Sequence, residues 1–106
     1  MKLSALLAAG VIASATATAA TAEVVKIGLL APVTGPSAAD GQDFVDGLTW
    51  AIEEANAAGG IAGNTFELVV ADVKDHSAAN VSSATERLLG TDGVEVILTG
   101  YASLSM

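Results

Sequence analysis

The sequence predicts an α/β protein with a doubly wound parallel sheet, of which only the first β-α-β-α-β portion is present. Short apolar runs rich in β-branched residues alternate with two amphipathic segments of helical period, and turns rich in Gly and Pro separate them. Because each parallel connection needs a crossover helix, this alternation is typical of a sheet covered by helices on both faces.

Each predicted strand is a nearly continuous apolar run. The runs are Val24–Leu30, Phe66–Val73 and Val94–Thr99. Strands of a parallel sheet are buried on both faces, which is why their sequences do not alternate between apolar and polar residues. We therefore expect one sheet with right-handed crossovers.

The two predicted helices, Gly41–Ala58 and Ala78–Leu89, carry apolar stripes with helical spacing. The stripe residues are Phe44, Leu48, Ala51, Ile52 and Ala55 in the first helix, and Val81, Ala84 and Leu88 in the second. Asp40 and Ser77 are the predicted N-caps, because their side-chain oxygens can accept a hydrogen bond from a helix N–H group. Gly90 is predicted to end the second helix.

The first 22 residues have the layout of a secretory signal peptide. Lys2 supplies the positive start, an apolar run follows from Leu3 to Ala13, and an Ala-Thr-Ala pattern precedes Glu23. The apolar run is too short to span a bilayer. We expect residues 1–22 to be removed on export and residues 23–106 to form the mature part; a short membrane anchor and an Ala-rich helix are the alternatives.

The composition excludes several kinds of site and partner. With 12 acidic residues, 4 basic residues and a formal net charge of −8 at pH 7, the chain repels nucleic acid and anionic lipid. It has no cysteine and a single histidine, His76, so almost no ligands exist for a soft metal ion. The glycine motifs that bind dinucleotides or phosphates are missing after the first strand. We predict no metal, no cofactor and no nucleic-acid partner, and we interpret His76 as a solvated loop residue.

Hydroxyl groups follow the first and third strands, at the edge where sheets of this kind bind ligands. The turn Thr34–Ser37 brings a hydroxyl and backbone amides to this edge, and Gly100–Ser103 does the same after the third strand. A third helix starting there would offer N–H groups to an anion such as a carboxylate. Asp40 lies beside the same crevice. The alternative is that these polar residues are only helix caps.

Three phrases of the mature part are distinctive: KIGLLAPVTGP, EANAAGGIAG and RLLGTDGVEVILTG. Together they resemble the extracytoplasmic substrate-binding proteins of branched-chain amino acid ABC transporters, the leucine/isoleucine/valine-binding family. The resemblance covers about Val25 to Ser105. It implies two α/β lobes of the type 1 periplasmic binding protein, which close over a small ligand. Residues 23–106 would then be the start of a truncated N-terminal lobe.

The resemblance also implies roles for single residues. Ser103 matches the family serine that binds the ligand carboxylate. Asp40 stands where leucine-type binders often place an aromatic ring, so it favours a ligand with an amino, amide or other donor group. The predicted ligand-binding residues are Thr34, Asp40, Tyr101, Ala102, Ser103 and Ser105.

The function that the resemblance implies is capture, in the periplasm, of an amino acid or a similar small polar solute, amides and urea included. The solute would pass to an ABC permease of the inner membrane, and the protein would not be an enzyme. Two alternatives remain, the ligand-sensing ectodomain of a receptor and an exported enzyme on a flavodoxin-like sheet. A downstream membrane span would favour the receptor. The enzyme would need a base beside Ser103, and no His or Lys stands near it in the sequence.

Overall fold

The computed structural model describes residues 23–100, which alternate strands and helices in the predicted order. The elements are β1 (Val24–Ala31), α1 (Ala38–Ala57), β2 (Thr65–Asp72), α2 (Ala78–Glu86), a π-helical turn (Arg87–Thr91) and β3 (Val96–Thr99). The strands form one parallel sheet in the order β2-β1-β3. The predicted α/β class and parallel sheet are confirmed.

The central strand, β1, aligns the ends of its two neighbours. Ala31, its last residue, pairs with Asp72 at the end of β2, and Leu30 pairs with Thr99 at the end of β3. The three strands therefore end side by side, and we call this boundary of the sheet the carboxyl edge. It is the edge at which the sequence predicts ligand binding.

The apolar core lies between the sheet and α2. Its buried cluster consists of Leu30, Ala71, Val73, Ala84, Leu88 and Val94. Leu88 is completely buried, Ala84 is 6% exposed, and Val81 packs against the cluster, so the predicted stripe of the second helix is confirmed. Ser77 is its N-cap as predicted, since its hydroxyl accepts a hydrogen bond from the Asn80 N–H at 3.3 Å.

Helix α1 begins earlier than predicted, at Ala38, with Ser37 at the N-cap position. The Ala38 N–H donates to the Gly35 carbonyl at 3.2 Å, and the Gly41 N–H donates to the Ser37 carbonyl at 3.0 Å. The turn after β1 thus already winds into the helix, and the prediction that Asp40 is the N-cap is wrong. Asp40 lies in the first turn, where the helix dipole favours its negative charge.

Only part of the predicted stripe of α1 is buried. Ile52 is 9% exposed, and the Asn56 side chain fixes the end of the helix to β2 by two hydrogen bonds of 2.9 Å with the Phe66 backbone. Three other stripe residues, Phe44, Leu48 and Ala51, border an open groove of about 390 Å³. This groove is lined by Asp43, Phe44, Gly47, Leu48 and Ala51.

The helical region after β2 ends at Thr91, so Gly90 does not end it as predicted. The chain continues past α2 in a π-helical turn, in which the Asp92 N–H donates to the Arg87 carbonyl at 3.0 Å. The Arg87 guanidinium also lies 3.6 Å from the Asp92 carboxylate. Within residues 23–100, no helix combines the length and the apolar character needed to cross a membrane.

Candidate functional site at the carboxyl edge

Two of the predicted ligand-binding residues belong to the described part of the chain. Thr34 is exposed in the turn after β1, and Asp40 is exposed in the first turn of α1. The remaining four, which lie outside the described residues, are Tyr101, Ala102, Ser103 and Ser105. The chain leads towards them from the carboxyl edge, because β3 ends at Thr99.

The turn after β1 rests against the loop that follows β2. Gly35 has a φ of 88°, which lies in the left-handed region that glycine adopts readily. A Cβ atom at Gly35 would lie 3.3 Å from the Lys74 carbonyl oxygen. The two loops therefore touch at the carboxyl edge and form one continuous surface there.

Asp72, which the sequence reasoning missed, joins these two loops by hydrogen bonds. Its Oδ1 atom accepts from the backbone N–H groups of Val33 and Lys74, both at 2.9 Å, and from the Thr34 N–H at 3.4 Å. Its Oδ2 atom accepts from the Thr34 hydroxyl. The available signal was an acidic residue directly after the apolar run Leu68–Ala71 of β2, in register with Ala31.

These hydrogen bonds favour the ionised form of Asp72. Burial raises the pKa of the carboxyl, but hydrogen bonds from the Thr34 hydroxyl and from the Lys74, Val33 and Thr34 N–H groups lower it, and the net effect is a pKa below the usual 3.8. The donors around Asp72 therefore face a full negative charge at neutral pH. An ionised carboxylate is the strongest acceptor that the chain can offer them.

Asp75 fixes the same loop to the start of α2. Its carboxylate accepts from the Ser77 N–H at 3.0 Å and from the Asn80 side-chain amide at 2.7 Å. These bonds hold the pKa of Asp75 below its usual value, the Ser77 N–H contributing most. The loop between β2 and α2 is thus held at both ends, by Asp72 and by Asp75.

His76 is half-buried, so its interpretation as a solvated loop residue is wrong. Its backbone N–H closes a turn to the Val73 carbonyl at 2.9 Å, which draws the residue back towards the sheet. His76 and Lys74 have φ values of 62° and 54°, a left-handed conformation that is strained for residues other than glycine. Strain of this kind persists only where the surroundings fix the backbone, as the Asp72 carboxylate does at Lys74.

Helix α1 contacts the end of β3 on the other side of the edge. A Cβ atom at Gly100 would lie 2.3 Å from a ring carbon of Phe44, so the aromatic ring packs directly on the glycine backbone. Asp40 lies one helical turn before Phe44 and hence on the same side of α1. The structure therefore brings Asp40 near the point where the chain leaves for Tyr101.

The described part of the edge presents hydroxyl, carboxylate and backbone amide groups. Within residues 23–100, no group of three or more His, Asp or Glu side chains is arranged to hold a metal ion. These groups can donate or accept hydrogen bonds, and Thr34 and Asp40 are exposed among them.

Comparison with known proteins gives consistent results. A family model described as periplasmic binding protein matches residues 24–106. The Leu/Ile/Val-binding protein homolog 8 of Brucella suis biovar 1 is 39% identical over 106 residues, which cover 97% of this chain and 26% of that relative. The Leu/Ile/Val-binding protein BraC3 of Rhizobium johnstonii is 38% identical over 74 residues, which cover 70% of this chain and 20% of the relative. The chain thus spans about a quarter or less of the length of these curated relatives.

Solved structures show the same similarity. A crystal structure from Silicibacter pomeroyi, provisionally assigned to a branched-chain amino acid ABC transporter, has a TM-score of 0.71 and 41% identity over 74% of this chain and 20% of that one. A branched-chain amino acid transporter substrate-binding protein from Streptococcus pneumoniae, solved with isoleucine, has a TM-score of 0.64 and 35% identity over 70% of this chain and 21% of that one. By sequence and by fold, the chain belongs to the periplasmic binding protein family.

Proposed function

We propose that this chain forms the ligand-facing part of one lobe of a solute-binding protein, which captures an amino acid or a similar small polar solute for an ABC permease. The observation that carries the proposal is the meeting of three connections at the carboxyl edge. Asp72 joins the loops after β1 and β2, and Phe44 packs on Gly100 where the chain leaves β3. The names of the relatives, which are Leu/Ile/Val-binding proteins, support the same role.

In this proposal the protein binds its solute and carries out no reaction on it. Residues 23–106 contribute the start of the N-terminal lobe. The opposing lobe corresponds to the part of the relatives that this chain does not span, and its closure over the ligand excludes water. A desolvated site strengthens every hydrogen bond from the carboxyl edge to the ligand.

We assign the ligand carboxylate to the segment after β3. Ser103 donates its hydroxyl to the carboxylate, with Tyr101, Ala102 and Ser105 beside it. Asp40 lies at the lip of the site and faces the part of the ligand that carries donor groups. This division is supported by the resemblance to leucine/isoleucine/valine-binding proteins and by the position of Asp40 one helical turn before Phe44, whose ring packs on Gly100.

We propose the periplasm as the location, with residues 1–22 as an export signal. The family description supports the compartment. The positive start, the apolar run and the Ala-Thr-Ala pattern before Glu23 support the signal.

The experiment that tests the proposal is calorimetric titration of the protein expressed from the complete reading frame that contains this chain. The probes are the twenty common amino acids, with L-isoleucine first, followed by acetamide and urea. Ser103→Ala should weaken binding roughly ten- to 150-fold, which corresponds to the loss of a hydrogen bond to a charged group of about 1.5–3 kcal/mol. Ser83→Ala is the matched control, because Ser83 is exposed on α2.

Thermal melting of the same variants separates binding from capping. A lost helix cap lowers the stability by about 1 kcal/mol and does not by itself change affinity. Unchanged affinity with a lowered melting temperature in Ser103→Ala would mean that the residue is a cap and that the site assignment is wrong. If the unmodified protein binds none of the probes, the proposed function fails.

A further inference from the structure

We propose that Asp72 is a positioning residue that makes Thr34 an obligate hydrogen-bond acceptor, so that this side of the site selects ligand groups that donate a hydrogen bond. An ammonium group and an amide N–H have this property, whereas a carboxylate or a carbonyl does not. The inference rests on the proposed function and adds to it the polarity of one part of the site.

The polarity follows from the chemistry of the Thr34–Asp72 pair. An ionised carboxylate has no proton to donate and acts only as an acceptor. The hydrogen bond between the Thr34 hydroxyl and Asp72 Oδ2 can therefore form in one direction only, with Thr34 as donor. The lowered pKa of Asp72 is consistent with this assignment, since the carboxyl remains ionised at neutral pH.

The Thr34 hydroxyl oxygen can still accept hydrogen bonds. A hydroxyl carries one proton and two lone pairs, and here the proton is already used. Thr34 is exposed at the carboxyl edge, so a ligand can reach these lone pairs. A donor group on the ligand gains a hydrogen bond there, and a ligand oxygen in the same place meets a lone pair and is disfavoured.

The orientation of the Thr34 hydroxyl is fixed before any ligand arrives. Asp72 also accepts the N–H groups of Val33 and Lys74, each at 2.9 Å, so the carboxylate itself cannot swing away. A preorganised acceptor loses little conformational entropy when the ligand binds. Asp40, exposed on the neighbouring first turn of α1, adds a second acceptor and a negative charge nearby.

The proposed site therefore has one side that accepts hydrogen bonds and another side that binds a carboxylate. An acceptor lies at Thr34, in the turn that contacts the loop after β2, and the proposed carboxylate-binding segment follows β3, after Gly100. A zwitterionic α-amino acid has one ammonium group and one carboxylate group, and it fits such an arrangement in one orientation.

The test compares each L-amino acid with the carboxylic acid that lacks only its ammonium group, for example L-isoleucine with 3-methylpentanoate. Calorimetric titration is carried out on the protein from the complete reading frame and on three Thr variants. Thr34→Val keeps the shape and removes the hydroxyl, Thr34→Ser keeps the hydroxyl, and Thr91→Val is the matched control at an exposed position of the π-helical turn.

Thr34→Val should weaken binding of the amino acid about tenfold or more and change binding of the desamino acid less than about twofold. Thr34→Ser and Thr91→Val should keep the preference of the unmodified protein. An equal loss for both ligands in Thr34→Val, or no loss for either, would overturn the inference, because a merely structural threonine does not discriminate between them.

Asp72→Asn tests the positioning residue itself. Its side-chain amide can donate to Thr34, so the hydroxyl is no longer held as a donor, and the preference for the ammonium group should fall about as far as in Thr34→Val. An unaltered preference in a folded Asp72→Asn protein would refute the role of Asp72. If the unmodified protein binds none of the probes named for the proposed function, that function fails and this inference fails with it. If the unmodified protein prefers the amino acid and both substitutions leave that preference unchanged, only this inference fails.

Discussion

Replacing Gly41 by alanine should dislodge helix α1 from the carboxyl edge. Gly41 is buried in the first part of α1, and a Cβ atom built there would lie 1.7 Å from the Pro32 carbonyl oxygen and 2.6 Å from its carbonyl carbon. Real Cβ atoms stay at least 3.0 Å from other heavy atoms. Because the obstacle is backbone at the end of β1, the helix must move by about 1.3 Å, the difference between 1.7 Å and 3.0 Å.

The size of the effect follows from what such a movement breaks. Overpacking of a close contact costs about 1–3 kcal/mol by itself. The two hydrogen bonds of 2.9 Å between Asn56 and Phe66 anchor the far end of α1, and a shift of that size lengthens them beyond hydrogen-bond distance. Each contributes about 1 kcal/mol, so the total loss of unfolding free energy should be about 3 kcal/mol or more.

Urea unfolding followed by circular dichroism measures this loss in the protein from the complete reading frame. The control is Gly47→Ala in the same helix, where no described atom other than those of its chain neighbours and the adjacent helix backbone lies within 4 Å of the new Cβ. Alanine should stabilise that position by about 0.5–1 kcal/mol, because glycine is a poor helix former. If the unfolding free energy of Gly41→Ala lies within about 0.5 kcal/mol of that of the unmodified protein, α1 does not approach Pro32 as closely as described.

Leu88→Ala should lower the unfolding free energy by about 2–5 kcal/mol in urea titrations, whereas Leu89→Ala, at a side chain 58% exposed, should change it by less than about 0.5 kcal/mol. Because the folded pKa of Asp72 lies below the usual 3.8, its stabilising contribution is present above that value and is lost as the pH falls through the folded pKa. Asp72→Asn should therefore flatten the acid limb of the stability curve, and an unchanged limb would contradict this assignment. Mass spectrometry of the exported protein should find Glu23 at the N-terminus, and an intact Met1 would exclude the signal peptide. Residues 23–106 expressed alone should show no cooperative transition in calorimetry, since a small domain with an uncovered apolar edge buries too little surface.

The elements that could be predicted from the sequence are those defined by apolar pattern. The apolar runs of the strands and the stripe of α2 are visible as residue types, and the buried Leu88 and Ala84 lie where the spacing places them. The start of α1 was mispredicted because Asp40 has the chemistry of a cap, whereas the hydrogen bond from Ala38 to Gly35 starts the helix earlier. Local turn geometry decided the boundary, and residue preference alone could not.

The position of Thr34 at the ends of the strands could be predicted from the sequence, but its hydrogen bonding could not. The order of strands and loops places Thr34 at the carboxyl edge without any knowledge of contacts. The role of Asp72 depends on the register between β1 and β2, which brings its carboxylate under the turn that contains Val33 and Thr34. Register is a long-range property, so residues 38 and 39 positions apart in the chain gave no local signal of their pairing.

The central claim is that the carboxyl edge of this sheet holds the solute, and a crystal structure of the protein from the complete reading frame with its bound amino acid tests it most directly. We expect the ammonium group within about 3 Å of the Thr34 hydroxyl oxygen and the carboxylate against the residues that follow Gly100. A solute bound away from the ends of β1 and β3, or one that turns its carboxylate towards Thr34, would contradict the account.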